Sequence, residues 1–76
     1  MKKFTLRYSD GSELRENDKV LINDKHIGHI DAILIPGTEK SFQYSCEEGG
    51  FIVILENGDV QVWPDTDEDI SLLERQ

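Results

Sequence analysis

The stretch that most constrains the fold is Phe51-Ile52-Val53-Ile54-Leu55-Glu56-Asn57-Gly58-Asp59-Val60-Gln61-Val62-Trp63. A run of strand formers meets Asn57-Gly58, and a second, alternating run ends at Trp63-Pro64. Asn-Gly suits both central positions of a type I′ turn, which require positive φ and whose twist matches the flanking strands. Five successive apolar residues before the turn predict a strand buried on both faces. An isolated hairpin cannot bury such a strand, so a sheet or small barrel must fold round it.

The rest of the chain supplies short pieces of the same kind. Residues 4–8 alternate, with Phe4, Leu6 and Tyr8 on one face. Residues 9–12 turn the chain, Glu13-Leu14 begins a short return strand, and Glu16-Asn17-Asp18 reads as a polar corner. Residues 19–22 form a strand, and Asn23-Asp24 is a tight turn because both residues tolerate left-handed geometry. Residues 26–35 make one long strand whose alternation breaks near Ile27, and Gly28 is the place for a bulge that would restore it. Pro36-Gly37 ends that strand. Residues 38–41 are expected as loop, Phe42-Gln43-Tyr44 as a short edge strand, and residues 45–50 as a second loop. After the central hairpin, Thr66 and Asp69 have helix-capping spacing, predicting a one-turn helix near 66–69 before a closing strand at 70–73. Five to six short antiparallel strands with a short helical turn near the C-terminus predict an all-β barrel or roll.

Seventy-six residues make a single domain, 1–76. A chain this size buries only about 60% of its unfolded surface, so a deep catalytic pocket would remove much of what stabilises it. The lone cysteine, Cys46, has no partner for an internal disulfide. Arg7 interrupts the apolar residues that follow Met1-Lys2-Lys3, and no run reaches membrane-spanning length, so a cytoplasmic, membrane-free protein is expected.

The net charge of −8 is unevenly placed. Residues 1–40 hold seven bases and seven acids, whereas residues 41–76 hold nine acids and one base, Arg75. Such a one-signed half argues against nucleic acid, whose binding is dominated by phosphate neutralisation. It suits a cationic partner instead, such as a basic protein or peptide.

A resemblance enters at residues 17–33, Asn17-Asp18-Lys19-Val20-Leu21-Ile22-Asn23-Asp24-Lys25-His26-Ile27-Gly28-His29-Ile30-Asp31-Ala32-Ile33. This segment resembles the opening hairpin of KOW- and Tudor-type SH3-like barrels: an acid starts a strand, a polar turn follows, and a glycine sits in the returning strand. The resemblance implies a small SH3-like β-barrel. It also implies an alternative function, binding of nucleic acid through a basic strip of Lys2, Lys3, Arg7, Lys19 and Lys25, or of a methylated cationic peptide. Tudor-like barrels hold methylated lysine or arginine in aromatic cages beside an acid, a role that would fall here to Phe42, Tyr44 and Trp63 with Asp65 and Asp67. The competing expectation, which the small core favours, is that Phe42 and Trp63 plug the barrel ends. The chain departs from KOW-type relatives that bind RNA in being acidic. In size, acidity and lack of catalytic groups it is similar in class to bacterial immunity proteins, which block a toxin nuclease by occupying its positive cleft.

Catalytic and metal patterns are weak. His26 and His29, three apart on a strand, face opposite sides unless a bulge realigns them, and zinc needs two further ligands. Asp65, Asp67 and Asp69 mimic the start of a calcium loop, but Ile70 and Gln76 stand where that loop needs glycine and glutamate. Cys46 is followed by Glu47 and Glu48, which disfavour a thiolate, and no nucleophile motif surrounds Ser41 or Ser45. The expectation is therefore a non-enzymatic interaction module without cofactor or metal, a monomer or weak homodimer. Its docking face would comprise Glu47, Glu48, Glu56, Asp59, Asp65, Asp67, Glu68 and Asp69, with Tyr44 or Trp63 as the aromatic anchor.

Overall fold

A computed structural model of the chain describes residues 4–75. Five antiparallel strands and one short helix follow in the order β1 (Lys19–Ile22), β2 (His26–Leu34), α1 (Glu39–Gln43), β3 (Gly50–Leu55), β4 (Val60–Trp63) and β5 (Ile70–Glu74). All five strands form one sheet in the order β4-β3-β2-β1-β5. The first four strands run as a meander, and β5 returns to pair with β1. The protein is a small all-β fold.

The central hairpin forms as the sequence predicts, with Phe51 opposite Trp63 and Ile54 opposite Val60. β3 is buried on both sides: Phe51, Val53 and Leu55 enter the main core, while Ile52 joins a second cluster with Ala32 and Leu34. The turn differs from the expected type I′. Only Gly58 has positive φ (92°), and its N–H donates to Leu55 O (2.9 Å) while Leu55 N–H donates to Asp59 O (2.8 Å). That pattern is a bulged turn in which glycine alone takes the left-handed position. Asn57 instead accepts a hydrogen bond from Asp59 N–H through its side chain (2.9 Å). The two-residue turn with both φ positive occurs at Asn23 (54°) and Asp24 (58°), closed by Lys25 N–H to Ile22 O (3.0 Å).

The long β2 is shared between two partners, pairing with β1 through residues 26–29 and with β3 through residues 28–34. Its bulge lies between Ile30 and Ala32, not at Gly28. The extra residue, Asp31, changes which face the following side chains occupy. Ile30 lies in the main core opposite Val53, whereas Ala32 and Ile52, also opposite, belong to the second cluster. Ile33 then turns back to the main core, opposite Phe51. Gly28 serves a different need: a Cβ there would stand 2.8 Å from Ile54 O and 3.0 Å from the Leu55 and Val53 side chains. It is the close approach of neighbouring backbone that requires glycine.

Residues 4–14 lie across the sheet and close the core with Leu6, Tyr8 and Leu14. This segment is not the strand its alternation predicts; it makes a single antiparallel bridge, Arg7 to Glu13, around the turn at residues 9–12. The alternation still decides burial, with Leu6 and Tyr8 inside and Thr5 and Arg7 exposed.

Two further expectations are corrected. Phe42-Gln43-Tyr44 is not an edge strand, because residues 39–43 are helical. Thr38 caps the helix, accepting from Ser41 N–H (3.3 Å), and the buried Ser41 hydroxyl donates back to Thr38 O (2.7 Å). Residues 66–69 form no helical turn: Asp67 accepts Asp69 N–H with its carboxylate (2.8 Å), and the chain passes through a turn directly into β5. Thr66 spends its hydroxyl on Arg7 O rather than on a cap.

Candidate functional site

The nine acids of residues 41–76 occupy connections and one strand end. Glu47 and Glu48 lie on the turn between α1 and β3, Glu56 and Asp59 on the β3–β4 turn, Asp65, Asp67, Glu68 and Asp69 on the β4–β5 connection, and Glu74 at the end of β5. All nine are exposed. Positions such as these follow from the sequence pattern, since strands spend their residues on the core and leave the turns for charge.

The fold brings some of these acids together and separates others. Glu47, Glu48 and Pro64 line one recess of about 310 Å³, so the acidic β4–β5 connection starts beside the α1–β3 turn. That connection then crosses from the end of β4 to the start of β5, where Asp69 O accepts Asn23 N–H (2.8 Å) from the β1–β2 turn. Glu56 stands apart. It lines an open recess of about 430 Å³ with Asn17, Lys19, Ile27, Gly28 and His29, and a smaller one with Lys25 and His26. Its surroundings are thus of mixed charge, and a base also lies near residues 65–69, where Thr66 donates its hydroxyl to Arg7 O.

The single base of this half, itself exposed, reaches the buried Asp18 with its guanidinium. Arg75 Nε donates to Asp18 Oδ1 (3.1 Å), and Arg75 Nη2 donates to Asp18 Oδ2 (3.2 Å) and to Glu13 O. Asp18 is 1% exposed and also accepts from the Tyr8 hydroxyl (2.8 Å) and Arg15 N–H (3.0 Å). Burial is the largest single influence on the Asp18 carboxyl and works to raise its pKa. The hydrogen bonds from Arg75, Arg15 N–H and Tyr8, with the guanidinium charge, outweigh it and hold the carboxyl below its ordinary value. The same cluster acts oppositely on Tyr8: burial first, then donation to the Asp18 carboxylate, drives its hydroxyl far above the ordinary phenol value. Sequence reasoning placed Asp18 in a polar corner and missed this role, since Arg75 lies 57 residues away and no local pattern links them.

Among the described residues the aromatic pair in contact is Trp63 with Phe51. Trp63 stacks on Phe51 with ring centroids 5.9 Å apart and donates its indole N–H to Gln61 Oε1 (3.0 Å). It is half-buried and packed against the main core. Phe42, on α1, is 55% exposed, and Tyr44 follows the helix as its exposed C-terminal cap. Of the two residues expected to plug the barrel ends, Trp63 packs against the core and Phe42 stays exposed.

His26 lies opposite the core residue Ile22, whereas His29 lies opposite Lys19 and Ile54. No bulge intervenes between the histidines, so they project to opposite faces of β2. Among the described residues no three of His, Cys, Asp and Glu are grouped to hold a metal ion. Of the basic strip, Arg7 and Lys25 are exposed and Lys19 is half-buried, while Lys2 and Lys3 lie outside the described residues. No helix among the described residues is long and apolar enough to cross a membrane. No family model, curated protein or solved structure matches the chain.

Proposed function

We propose that the chain is a non-enzymatic, SH3-like interaction module that docks its acidic connections on a basic protein surface. The observation that carries the reading is the fate of the charges between Glu47 and Arg75: nine acids face solvent, and the one base is consumed by Asp18. A surface of one sign steers an oppositely charged partner toward it and discriminates against wrong partners. The contact region is the β4–β5 connection with Glu47 and Glu48 beside its start, and the exposed Tyr44 is the aromatic anchor because Trp63 is committed to Phe51. The SH3-like assignment is supported by the strand order β4-β3-β2-β1-β5 and by a long β2 serving two partners. A partner of this chemistry includes the positive cleft of a nuclease, the target of the immunity proteins that the chain is similar to in class.

The test is an affinity capture from native lysate at low and at moderate salt. One dominant basic protein, released as salt rises, is the expected result. Recovery of RNA, or of a protein whose retention ignores salt, would overturn the reading.

A further inference from the structure

β4 is an edge of the sheet, and among the described residues it pairs with β3 alone. Its hydrogen-bonding phase follows from the turn that precedes it. Leu55 N–H donates to Asp59 O, which makes these two residues a bonded pair. In an antiparallel ladder bonded and non-bonded pairs alternate. Gln61 and Trp63 therefore bond toward β3, whereas Val60 and Val62 direct their N–H and C=O groups away from it. The same two valines are 58% and 38% exposed, while Gln61 and Trp63 are half-buried.

Natural edges are blunted by charge, proline, bulges or covering segments. β4 carries no charge, no proline and no bulge along Val60-Gln61-Val62-Trp63; its proline comes one residue later. Acids bracket it instead, Glu56 and Asp59 before and Asp65 and Asp67 after.

We infer that the β4 edge accepts an extended segment of the basic partner by strand addition. This rests on the docking reading above and specifies the partner: apolar side chains at alternate positions, with lysine or arginine at both flanks. The free backbone groups of Val60 and Val62 supply the ladder bonds, the two valine side chains meet alternate residues of the incoming strand, and the bracketing acids pair with its flanks. A second copy of the chain fits poorly. Antiparallel β4 against β4 brings Asp59 toward the Asp65 end of its partner, and pairing with β5 of another copy meets Asp67, Glu68, Asp69 or Glu74. Like charges opposed across strands repel.

The experiment is an NMR titration of the full chain with a synthetic peptide of alternating valine and threonine bearing a pair of lysines at each end. A second peptide with glutamates at the ends serves as the comparison. Amide exchange at Val60 and Val62 should slow with the lysine-flanked peptide and stay unchanged with the other. Val62→Pro removes an outward N–H without touching the bonds to β3 and should weaken binding roughly tenfold, about one hydrogen bond, with signal dispersion retained. Perturbation confined to residues 65–69, with Val60 and Val62 exchanging as before, overturns strand addition but leaves acidic docking standing. Equal protection by both peptides overturns the partner chemistry and counts against the docking reading as well. Protection without any peptide, together with a dimeric mass, overturns the inference in favour of a second copy.

Discussion

Asp18 and Asp67 are the same residue in one small chain, and the fold uses them in opposite ways. Asp18 is buried and takes four hydrogen bonds, from Tyr8, Arg15 and Arg75, which tie the N-terminal segment, the corner before β1 and the C-terminal end into one cluster. Asp67 is exposed, and among the described residues its carboxylate accepts Asp69 N–H within its own turn. A buried carboxylate must be fully satisfied or it unfolds its surroundings. An exposed one is free to act on whatever approaches. The difference teaches that this chain divides its acids into one that holds the fold and many that face outward.

The largest effect should come from attacking the first kind. Asp18→Ala leaves the Tyr8 hydroxyl and the Arg75 guanidinium without their acceptor and should cost about 3 kcal/mol, read by urea unfolding. Domains of this size have total stabilities of about 4–11 kcal/mol, so such a loss shifts the midpoint severely. Tyr8→Phe removes one bond and keeps the ring in the core; a loss of about 1 kcal/mol is expected.

The pH dependence sharpens the same contrast. Asp18 is held below its ordinary 3.8 when folded, so its contribution is present above that value and disappears as pH falls through the lower folded pKa. Acid unfolding of Asp18→Asn should therefore lack part of the wild-type slope below pH 3.8. Tyr8 gives the opposite edge. Its folded pKa is raised, so its neutral form supports the fold below the ordinary value of 10.0 and that support drains away as pH climbs beyond it. Tyr8→Phe should flatten the alkaline loss of stability in a titration followed by circular dichroism.

The smallest change in stability should come from the outward acids. Asp67→Asn with Glu68→Gln keeps the oxygen that receives Asp69 N–H and removes two charges; its unfolding free energy should stay within about 0.5 kcal/mol of wild type. A loss approaching that of Asp18→Ala would erase the distinction between the two kinds of acid.

What could be read from the sequence divides along physical lines. Strands with strong period and clear turns, β3, β4 and the β1–β2 pair, were legible because burial and φ preference act on neighbouring residues. Asn23-Asp24 and Asn57-Gly58 both read as tight turns, but which of them takes two positive φ angles depends on how the strands register, and the structure assigns that role to Asn23-Asp24. The helix α1 was hidden because five residues hold too little periodicity to compete with the strand-like Phe42-Gln43-Tyr44; the usable signal was Thr38 as cap with Glu39 in the first turn. The bulge expected at Gly28 falls at Asp31, and Gly28 answers instead to a close backbone approach, because a bulge depends on which core each side chain must enter. Of the candidate site, the acids were legible as turn residues. The capture of Arg75 by Asp18, which pairs the one base of residues 41–76 with a buried acid, required the tertiary structure.

The most direct measurement is the association rate of the captured basic partner with wild type and with a chain carrying Asp67→Asn and Glu68→Lys, across a range of salt. Asparagine at 67 preserves the turn, so the comparison isolates charge. A docking surface built on the β4–β5 connection predicts association slowed roughly tenfold or more at low salt, with the two rates converging at high salt. Equal rates for both chains at low salt would contradict it.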